Sequence, residues 1–223
     1  MTPADVIAML SEPDRLMRKV NLVIAGGPPQ TVMSTAQAQV ARFRVEMKMV
    51  AGTETAMTIS GFTGGIAGAL GRMKQRPIVK IVFQSSPPPT SPRQPDEFDA
   101  FYVPMTSRDV FLTGASYCSL PTGMGPGVMI TSQLSGCTFS VGTPAATGQV
   151  VSHLQPGSEG NREVRLANLR ARAATSVPDA IGRIETGRSY DGYASVIGIR
   201  VGSRWRFYMQ GYNHAAITHV KVI

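Results

Sequence analysis

Residues 131–157 read TSQLSGCTFSVGTPAATGQVVSHLQPG, and this stretch decides both the predicted fold and the predicted chemistry. The segments CTFSVG and GQVVSH have the composition of strands, and the residues between them, TPAAT, are typical of a turn. An antiparallel hairpin centred on Ala145 would place Cys137 directly opposite His153. Opposed residues on one face of a sheet have Cβ atoms roughly 4.5–5.5 Å apart. The stretch therefore predicts a thiol and an imidazole close enough to share a proton, which a thiolate nucleophile requires.

Three residues beside this pair have predicted roles in the same chemistry. Ser135 and Gly136 precede the cysteine, and a glycine lets the backbone turn tightly so that nearby N–H groups face a developing oxyanion. Thr131, at the end of the preceding predicted strand, carries a hydroxyl that could orient the ring of His153. We therefore expect Cys137 to be the nucleophile, with His153 as its base.

Outward from the hairpin, short strands separated by turns dominate the sequence. The clearest strand covers residues 40–50, where apolar and charged residues alternate with the period of two of a half-buried strand. Helices are predicted at residues 2–10, 13–19 and 159–174, and further strands at residues 21–25, 55–62, 78–84, 101–104, 109–113, 128–131, 193–200, 204–210 and 216–222. This pattern predicts an α+β fold, mainly an antiparallel β-sandwich flanked by helices.

Length and composition agree with one globular domain. The 223 residues suffice for a sizeable core, and 43% of them are hydrophobic against 16% charged, so the chain is not of the disordered class. Residues 85–96, SSPPPTSPRQPD, are rich in proline, and neither flank carries a clear core of its own. We therefore expect a single domain over residues 1–223, with this stretch as a surface excursion.

The net charge of +8 permits an acidic partner, such as nucleic acid, an anionic membrane surface or an acidic protein. The arginines fall into two clusters: Arg162, Arg165, Arg170 and Arg172, and then Arg200, Arg204 and Arg206. This dispersal is typical of a solvated basic face, so nucleic acid is not the expected partner. A non-enzymatic basic module that binds an acidic partner or nucleic acid remains the alternative function from another class.

The two cysteines are too few for a disulfide framework or a structural zinc site. Cys118, in GASYCSL, is expected to be a buried apolar residue, and a bond to Cys137 would consume the proposed nucleophile. Residues 1–19 have early acids and no basic segment before an apolar core, so no Sec signal peptide is predicted. No stretch approaches the roughly 18 consecutive apolar residues of a membrane-spanning helix. The sequence therefore predicts a chain made in the cytoplasm.

The LSGC motif at residues 134–137, with a threonine six positions before the cysteine and a histidine sixteen positions after it, resembles the cysteine–histidine glutamine deamidases. The most similar members are the catalytic domain of the cytotoxic necrotizing factors and the Burkholderia lethal factor, and the resemblance covers residues 131–153. It implies that Cys137 is the nucleophile, that His153 is the base and that Thr131 supports the histidine. The β-sandwich flanked by helices that it also implies agrees with the fold predicted above.

The resemblance implies a bacterial toxin or effector that converts a glutamine side chain of a target protein to glutamate through a cysteine thioester. This reaction needs no metal or organic cofactor, the expected partner is the target protein, and a monomer is expected. The chain would be secreted or injected to act in a host cytosol. A cysteine protease or a transglutaminase would use the same pair, because all three reactions begin with thiolate attack on an amide.

Overall fold

The computed structural model describes residues 1–27, 37–48, 76–106, 116–158, 160–213 and 216–222. Within these ranges the helices are α1 (Pro3–Met9), α2 (Pro13–Lys19) and α3 (Arg162–Ser176). The strands are β1 (Asn21–Ala25), β2 (Gln39–Lys48), β3 (Ile78–Ser85), β4 (Glu97–Val103), β5 (Cys118–Leu120), β6 (Val128–Thr131), β7 (Leu134–Ser135), β8 (Thr138–Ala145), β9 (Gly148–Leu154), β10 (Ala180–Glu185), β11 (Tyr193–Val201), β12 (Arg204–Asn213) and β13 (Ala216–Val222). The strands predicted at residues 55–62 and 109–113 lie outside the described residues.

Two β-sheets pack face to face and form the core. The larger sheet has the order β1-β3-β2-β4-β6-β11-β12-β13, with β7 paired to β11, and the smaller sheet has the order β10-β8-β9-β5. Among the described strands, β1 with β3 and β4 with β6 pair in parallel, and the other neighbours are antiparallel. Phe139 of the smaller sheet and Phe207 of the larger sheet meet with ring centroids 5.7 Å apart. The predicted α+β sandwich, mainly antiparallel, is confirmed.

Helices α1 and α2 cover the outer face of the larger sheet. Val6 and Leu16, one from each helix, are fully buried in a cluster with Phe43 of β2. Thr2 caps α1, because its hydroxyl accepts a hydrogen bond from the Asp5 N–H at 3.2 Å while the Asp5 carboxylate accepts one from the Thr2 N–H at 2.6 Å. The two helices thus bury one face of the larger sheet and leave its other face for the smaller sheet.

Strand β2 follows the predicted alternation. Phe43 and Val45 are 0% and 2% exposed and face the helices. Arg42 lies on the opposite face and is still buried, because its guanidinium bonds the Asp99 carboxylate at 2.9 Å and the Ser91 carbonyl at 2.8 Å. Ser91 belongs to the proline-rich stretch, which connects β3 to β4. Arg42 therefore attaches this stretch to the sheet.

Helix α3 covers the outer face of the smaller sheet. It begins later than predicted, because Asn161 is its N-cap and accepts a hydrogen bond from the Val164 N–H at 3.0 Å. Two residues of the predicted apolar stripe, Leu169 and Ala173, are buried in a cluster with Leu154 of β9. The strand that carries the candidate base is therefore covered on its outer side by α3.

Candidate active site

The LSGC motif is the point where the chain passes from the larger sheet to the smaller one. Leu134 and Ser135 form β7, which pairs with β11 of the larger sheet, and Thr138 begins β8 of the smaller sheet. Gly136 between them has a φ of +76°, a backbone conformation that residues with a Cβ adopt only at a cost. Cys137 therefore lies in the crossover, at the edge of the space between the sheets.

The hairpin of β8 and β9 forms, but its register differs from the predicted one. Phe139, and not Cys137, lies directly opposite His153. The turn follows Ala145, which pairs with Gly148, instead of being centred on Ala145. The predicted direct opposition of the cysteine and the histidine is therefore wrong. Because side chains alternate along a strand, moving the partner of the histidine from residue 137 to residue 139 leaves the predicted face unchanged.

The displaced turn causes this difference, and a β-bulge in β8 partly offsets it: without the bulge, Ser140 would lie opposite His153. The register shifts between Val141 and Pro144. Proline has no N–H to donate to a sheet ladder, so a bulge is one of the few strand positions that accept it. The carbonyl of Gly142 inside the bulge accepts a hydrogen bond at 3.0 Å from the buried side chain of Gln149. The bulge is satisfied by a residue of the facing strand, which stabilises the observed register.

Cys137 and His153 line the same space, the core between the two sheets. Cys137 belongs to the buried inter-sheet cluster together with Phe139 of β8 and Val151 of β9. His153 is two residues from Val151 and opposite Phe139, so its ring shares this face of the smaller sheet. The histidine is 0% exposed and the cysteine 1% exposed. The structure therefore brings both residues into one water-excluded region.

Thr131 holds the His153 ring from the facing sheet. Its Oγ1, at the end of β6, lies 2.7 Å from Nδ1 of His153. The same hydroxyl donates its hydrogen to the Val103 carbonyl at 2.7 Å, so the Nδ1–H of a neutral ring must donate to Oγ1. The lone pair of the ring is then on Nε2, which is buried and has no hydrogen-bond partner among the described residues. This arrangement makes Nε2 available as a base.

Burial keeps this ring neutral. Desolvation lowers the pKa of His153 to about 3. At neutral pH, Nε2 is therefore unprotonated and able to accept a proton. A charged imidazolium becomes favourable only when a negative charge forms beside it, so loss of the thiol proton and charging of the ring belong to the same step.

The Cys137 thiol contacts Ser135 and Met105. It donates to the Ser135 carbonyl at 3.6 Å, and its Sγ lies 3.8 Å from Sδ of Met105. Ser135 thus presents an acceptor to the thiol, and Gly136 supplies the turn that brings the thiol into the core. The role of Ser135 and Gly136 in binding the developing oxyanion remains a prediction.

Two residues without any sequence signal hold the backbone of the site. Tyr190, between β10 and β11, donates its hydroxyl hydrogen to the Cys137 carbonyl at 2.7 Å. Burial raises the pKa of Tyr190, and negative charge on the cysteine raises it further, so the phenol stays protonated and keeps donating. Thr106 bonds the His153 carbonyl through its N–H at 3.0 Å and its hydroxyl at 3.2 Å. These partners are 53 and 47 positions apart in the chain, so no local pattern reveals them.

Met105 restricts access to the thiol, because it is partly buried and packs on the cluster that contains Cys137. Its side chain is unbranched and flexible, so it is a group that a reagent or substrate could displace. We expect Met105→Ala to speed the alkylation of Cys137 by iodoacetamide severalfold, measured by mass spectrometry of the labelled peptide. Met47→Ala, at a partly buried methionine of the other core cluster, is the matched control and should leave the rate unchanged. Equal rates in both variants would show that another group controls access.

Cys118 is a structural thiol. It is 5% exposed, and burial raises its pKa to about 12, in agreement with the predicted buried apolar residue. It lies on β5, which β9 separates from β8. Two ladder spacings of about 4.8 Å each exceed the roughly 7 Å between Cα atoms that a disulfide spans. Neither cysteine forms a disulfide, and a bond between Cys118 and Cys137 is excluded in this fold.

The described part of the chain contains no group of three histidine, cysteine, aspartate or glutamate residues that could hold a metal ion. Within the same ranges, no helix is long and apolar enough to cross a bilayer.

The two arginine clusters are on different elements, one on α3 and one at the hairpin of β11 and β12. In the first cluster, Arg170 pairs with Glu185 of β10 at 3.4 Å, so part of its charge is compensated.

The site is thus built by three segments that meet between the sheets: the end of β6, the crossover before β8, and the end of β9. Thr131, Cys137 and His153 contribute a hydroxyl, a thiol and an imidazole, and each of these residues is at most 1% exposed. No known protein-family profile matches the sequence, and no match is found among curated proteins.

Proposed function

We propose that this protein is a cysteine-dependent glutamine deamidase that converts a glutamine side chain of a target protein to glutamate. The observation that supports the proposal best is the oriented His153 ring, bonded through Nδ1 to Thr131, with Nε2 unpaired among the described residues and the Cys137 thiol in the adjoining core cluster. A neutral ring nitrogen with a free lone pair beside the thiol cluster can accept the thiol proton, which is what a general base needs.

In the proposed reaction, Nε2 of His153 takes the thiol proton as Sγ of Cys137 attacks the carboxamide carbon of glutamine. The negative charge of the tetrahedral intermediate develops on the former carbonyl oxygen, and backbone N–H groups near Gly136 are the proposed donors. The ring then returns its proton to the nitrogen, the C–N bond breaks and ammonia leaves, so that a thioester remains. Water, deprotonated by the same ring nitrogen, attacks the thioester, which releases glutamate and restores the thiol.

The surroundings of the thiol suit a neutral amide better than a charged side chain. Phe139 and Val141, in the same core cluster as Cys137, are at most 1% exposed, and Met105 contacts the sulfur. Desolvating a charged substrate in such a region would be costly, whereas a carboxamide needs only hydrogen bonds. The glutamine side chain is also long and unbranched, so it can reach past Met105 to a buried thiol. These features favour glutamine as the substrate.

The direct test is a search for modified glutamine in a host-cell lysate. Wild type, Cys137→Ser and the matched control Cys118→Ala are each incubated with lysate, and peptides are compared by mass spectrometry. We expect glutamine-to-glutamate changes with wild type and Cys118→Ala and none with Cys137→Ser. Matching lysates from three folded proteins would contradict the proposal. Backbone cleavage would indicate a protease instead, and incorporation of amines a transglutaminase.

Thr131→Val is expected to lower the rate of deamidation by roughly 10- to 1000-fold, because the ring loses the acceptor that sets its tautomer and orientation. The variant also leaves Nδ1 of His153 and the Val103 carbonyl without their partner, so we expect a loss of about 1–3 kcal/mol in the free energy of unfolding. Thr131→Ser keeps the hydroxyl and should retain most of the activity. The measurements are kcat across a pH series and urea unfolding. If the serine variant were as slow as the valine variant, the hydroxyl would not be the orienting group.

A further inference from the structure

Met124 is exposed in the loop that precedes β6, and Thr131 lies at the opposite end of this strand. Residues 121–127, PTGMGPG, connect β5 to β6. Met124 in this loop is 83% exposed, more than any other large hydrophobic residue among those described. Val201, at the adjacent turn between β11 and β12, is 47% exposed. Two apolar side chains therefore project into solvent at one end of the larger sheet.

The loop is held in place by β11 and β12. The guanidinium of Arg200 donates to the Met124 carbonyl at 2.7 Å and to the Gly125 carbonyl at 2.9 Å. The indole N–H of Trp205 donates to the Pro121 carbonyl at 3.0 Å. Because the carbonyls of Pro121, Met124 and Gly125 are all bonded, the backbone of this loop is held in a defined position. A partner would then bind it with little further loss of loop entropy.

Two exposed arginines lie on β12 near this apolar end. Arg204 and Arg206 are exposed on β12, and neither forms an ion pair within the part of the chain that the structure describes. The carboxylates at the same end of β4 are paired with Arg42 and Arg44 of β2 instead. The charge of the two exposed arginines is therefore available to an anionic partner.

We propose that the basic tip, formed by Met124, Val201, Arg204 and Arg206, docks this protein on an anionic phospholipid surface. The methionine and the valine enter the interfacial region of the bilayer, and the arginines contact lipid phosphates and acidic headgroups. The net charge of +8 adds long-range attraction to such a surface. The proposal does not depend on the chemistry of the thiol, since the tip and Thr131 lie at opposite ends of β6.

A bilayer explains the tip better than nucleic acid does. Exposed aliphatic side chains contribute little to binding a phosphate backbone, whereas they add to the affinity for a membrane interface. Binding of single-stranded nucleic acid relies on exposed aromatic rings, and Trp205, beside the two arginines, is 4% exposed. The combination of projecting aliphatic groups and adjacent arginines matches the chemistry of an anionic lipid surface.

Vesicle sedimentation tests the proposal. Vesicles of phosphatidylcholine alone are compared with vesicles that contain about 30% phosphatidylserine. We expect wild type to sediment with the anionic vesicles only, and less so as salt is raised. Met124→Ser and the double variant Arg204→Gln/Arg206→Gln should each weaken binding about tenfold.

Two matched control variants remove an exposed apolar side chain or two positive charges at positions outside the basic tip. Ile181→Ser removes a hydrophobic side chain that is 60% exposed on β10, and Arg162→Gln/Arg165→Gln removes the same charge from α3. Both should bind anionic vesicles much more tightly than the tip variants do, and the α3 variant should lose only the long-range attraction of two charges. Failure of wild type to bind, or equal losses in control and tip variants, would overturn the proposal. Tighter binding to a single-stranded oligonucleotide than to the vesicles would also overturn it and would identify a nucleic-acid surface.

Discussion

Cys137→Ser is expected to lower the rate of glutamine deamidation on the order of 10³-fold or more, the scale of loss that follows removal of a catalytic nucleophile. The buried His153 is a weak base, with its pKa lowered to about 3. Such a base can take a proton in concert with attack from a thiol far more readily than from a hydroxyl, whose pKa is much higher. The measurement is ammonia release from the target protein that the lysate experiment identifies.

Cys118→Ala is the matched control for the loss of a buried thiol. The Cys118 side chain lies on β5, and burial raises its pKa to about 12, so it is not a nucleophile at neutral pH. We expect this variant to keep its activity and its iodoacetamide-reactive site, and Cys137→Ser to lose both. An active Cys137→Ser protein would contradict the assignment of the nucleophile, and so would an inactive but folded Cys118→Ala protein.

The free energy of unfolding is expected to fall as the pH is lowered from about 6.5 towards 3, because of His153. In the folded protein the pKa of this ring is lowered to about 3, whereas a histidine in an unfolded chain has a pKa of about 6.5. Between these values the unfolded chain binds a proton that the folded protein does not, and protonation therefore favours unfolding. The contribution of the neutral His153 ring to the free energy of unfolding is fully present above about pH 6.5. Below that pH it decreases by up to about 1.4 kcal/mol per pH unit.

Urea unfolding of wild type and His153→Gln at about pH 7 and about pH 5 measures this effect. Glutamine does not titrate, so the variant should be less stable at neutral pH but should lose about 2 kcal/mol less than wild type between the two conditions. Carboxylates titrate in both proteins, and the comparison therefore isolates the ring of residue 153. Parallel losses in the two proteins would mean that the ring is not held neutral in the folded state.

Much of the architecture follows from local patterns. The alternation in β2 reflects a strand with one face under the helices, and the same rule assigns the last strands of the chain. The period of two also placed Cys137 and His153 on one face, which survives the change in register because the shift is even. Thr131 was expected to orient the ring, and its hydroxyl lies 2.7 Å from Nδ1.

Other parts of the fold depend on contacts that no window of sequence contains. Strands β5 and β10 were not predicted, since these segments lack a strong alternation and owe their conformation to their neighbours. The first residues of β4 were also missed, although Glu97–Ala100 alternate between partly buried and buried side chains. The hairpin register was decided by the turn that follows Ala145 together with a bulge before Pro144, which Gln149 satisfies. Turn position and bulges are set by the balance of the whole sheet, and composition alone does not reveal them.

The sequence by itself indicated the candidate site residues Thr131, Cys137 and His153 and the strands that carry them, because residue type and a period of two are local properties. Only the tertiary structure decided the register of the hairpin, the burial of the thiol and the ring, and the supporting bonds from Tyr190 and Thr106. Those features arise where two sheets close on each other, since desolvation of His153 and the hydrogen bonds to its carbonyl exist only after distant segments have packed.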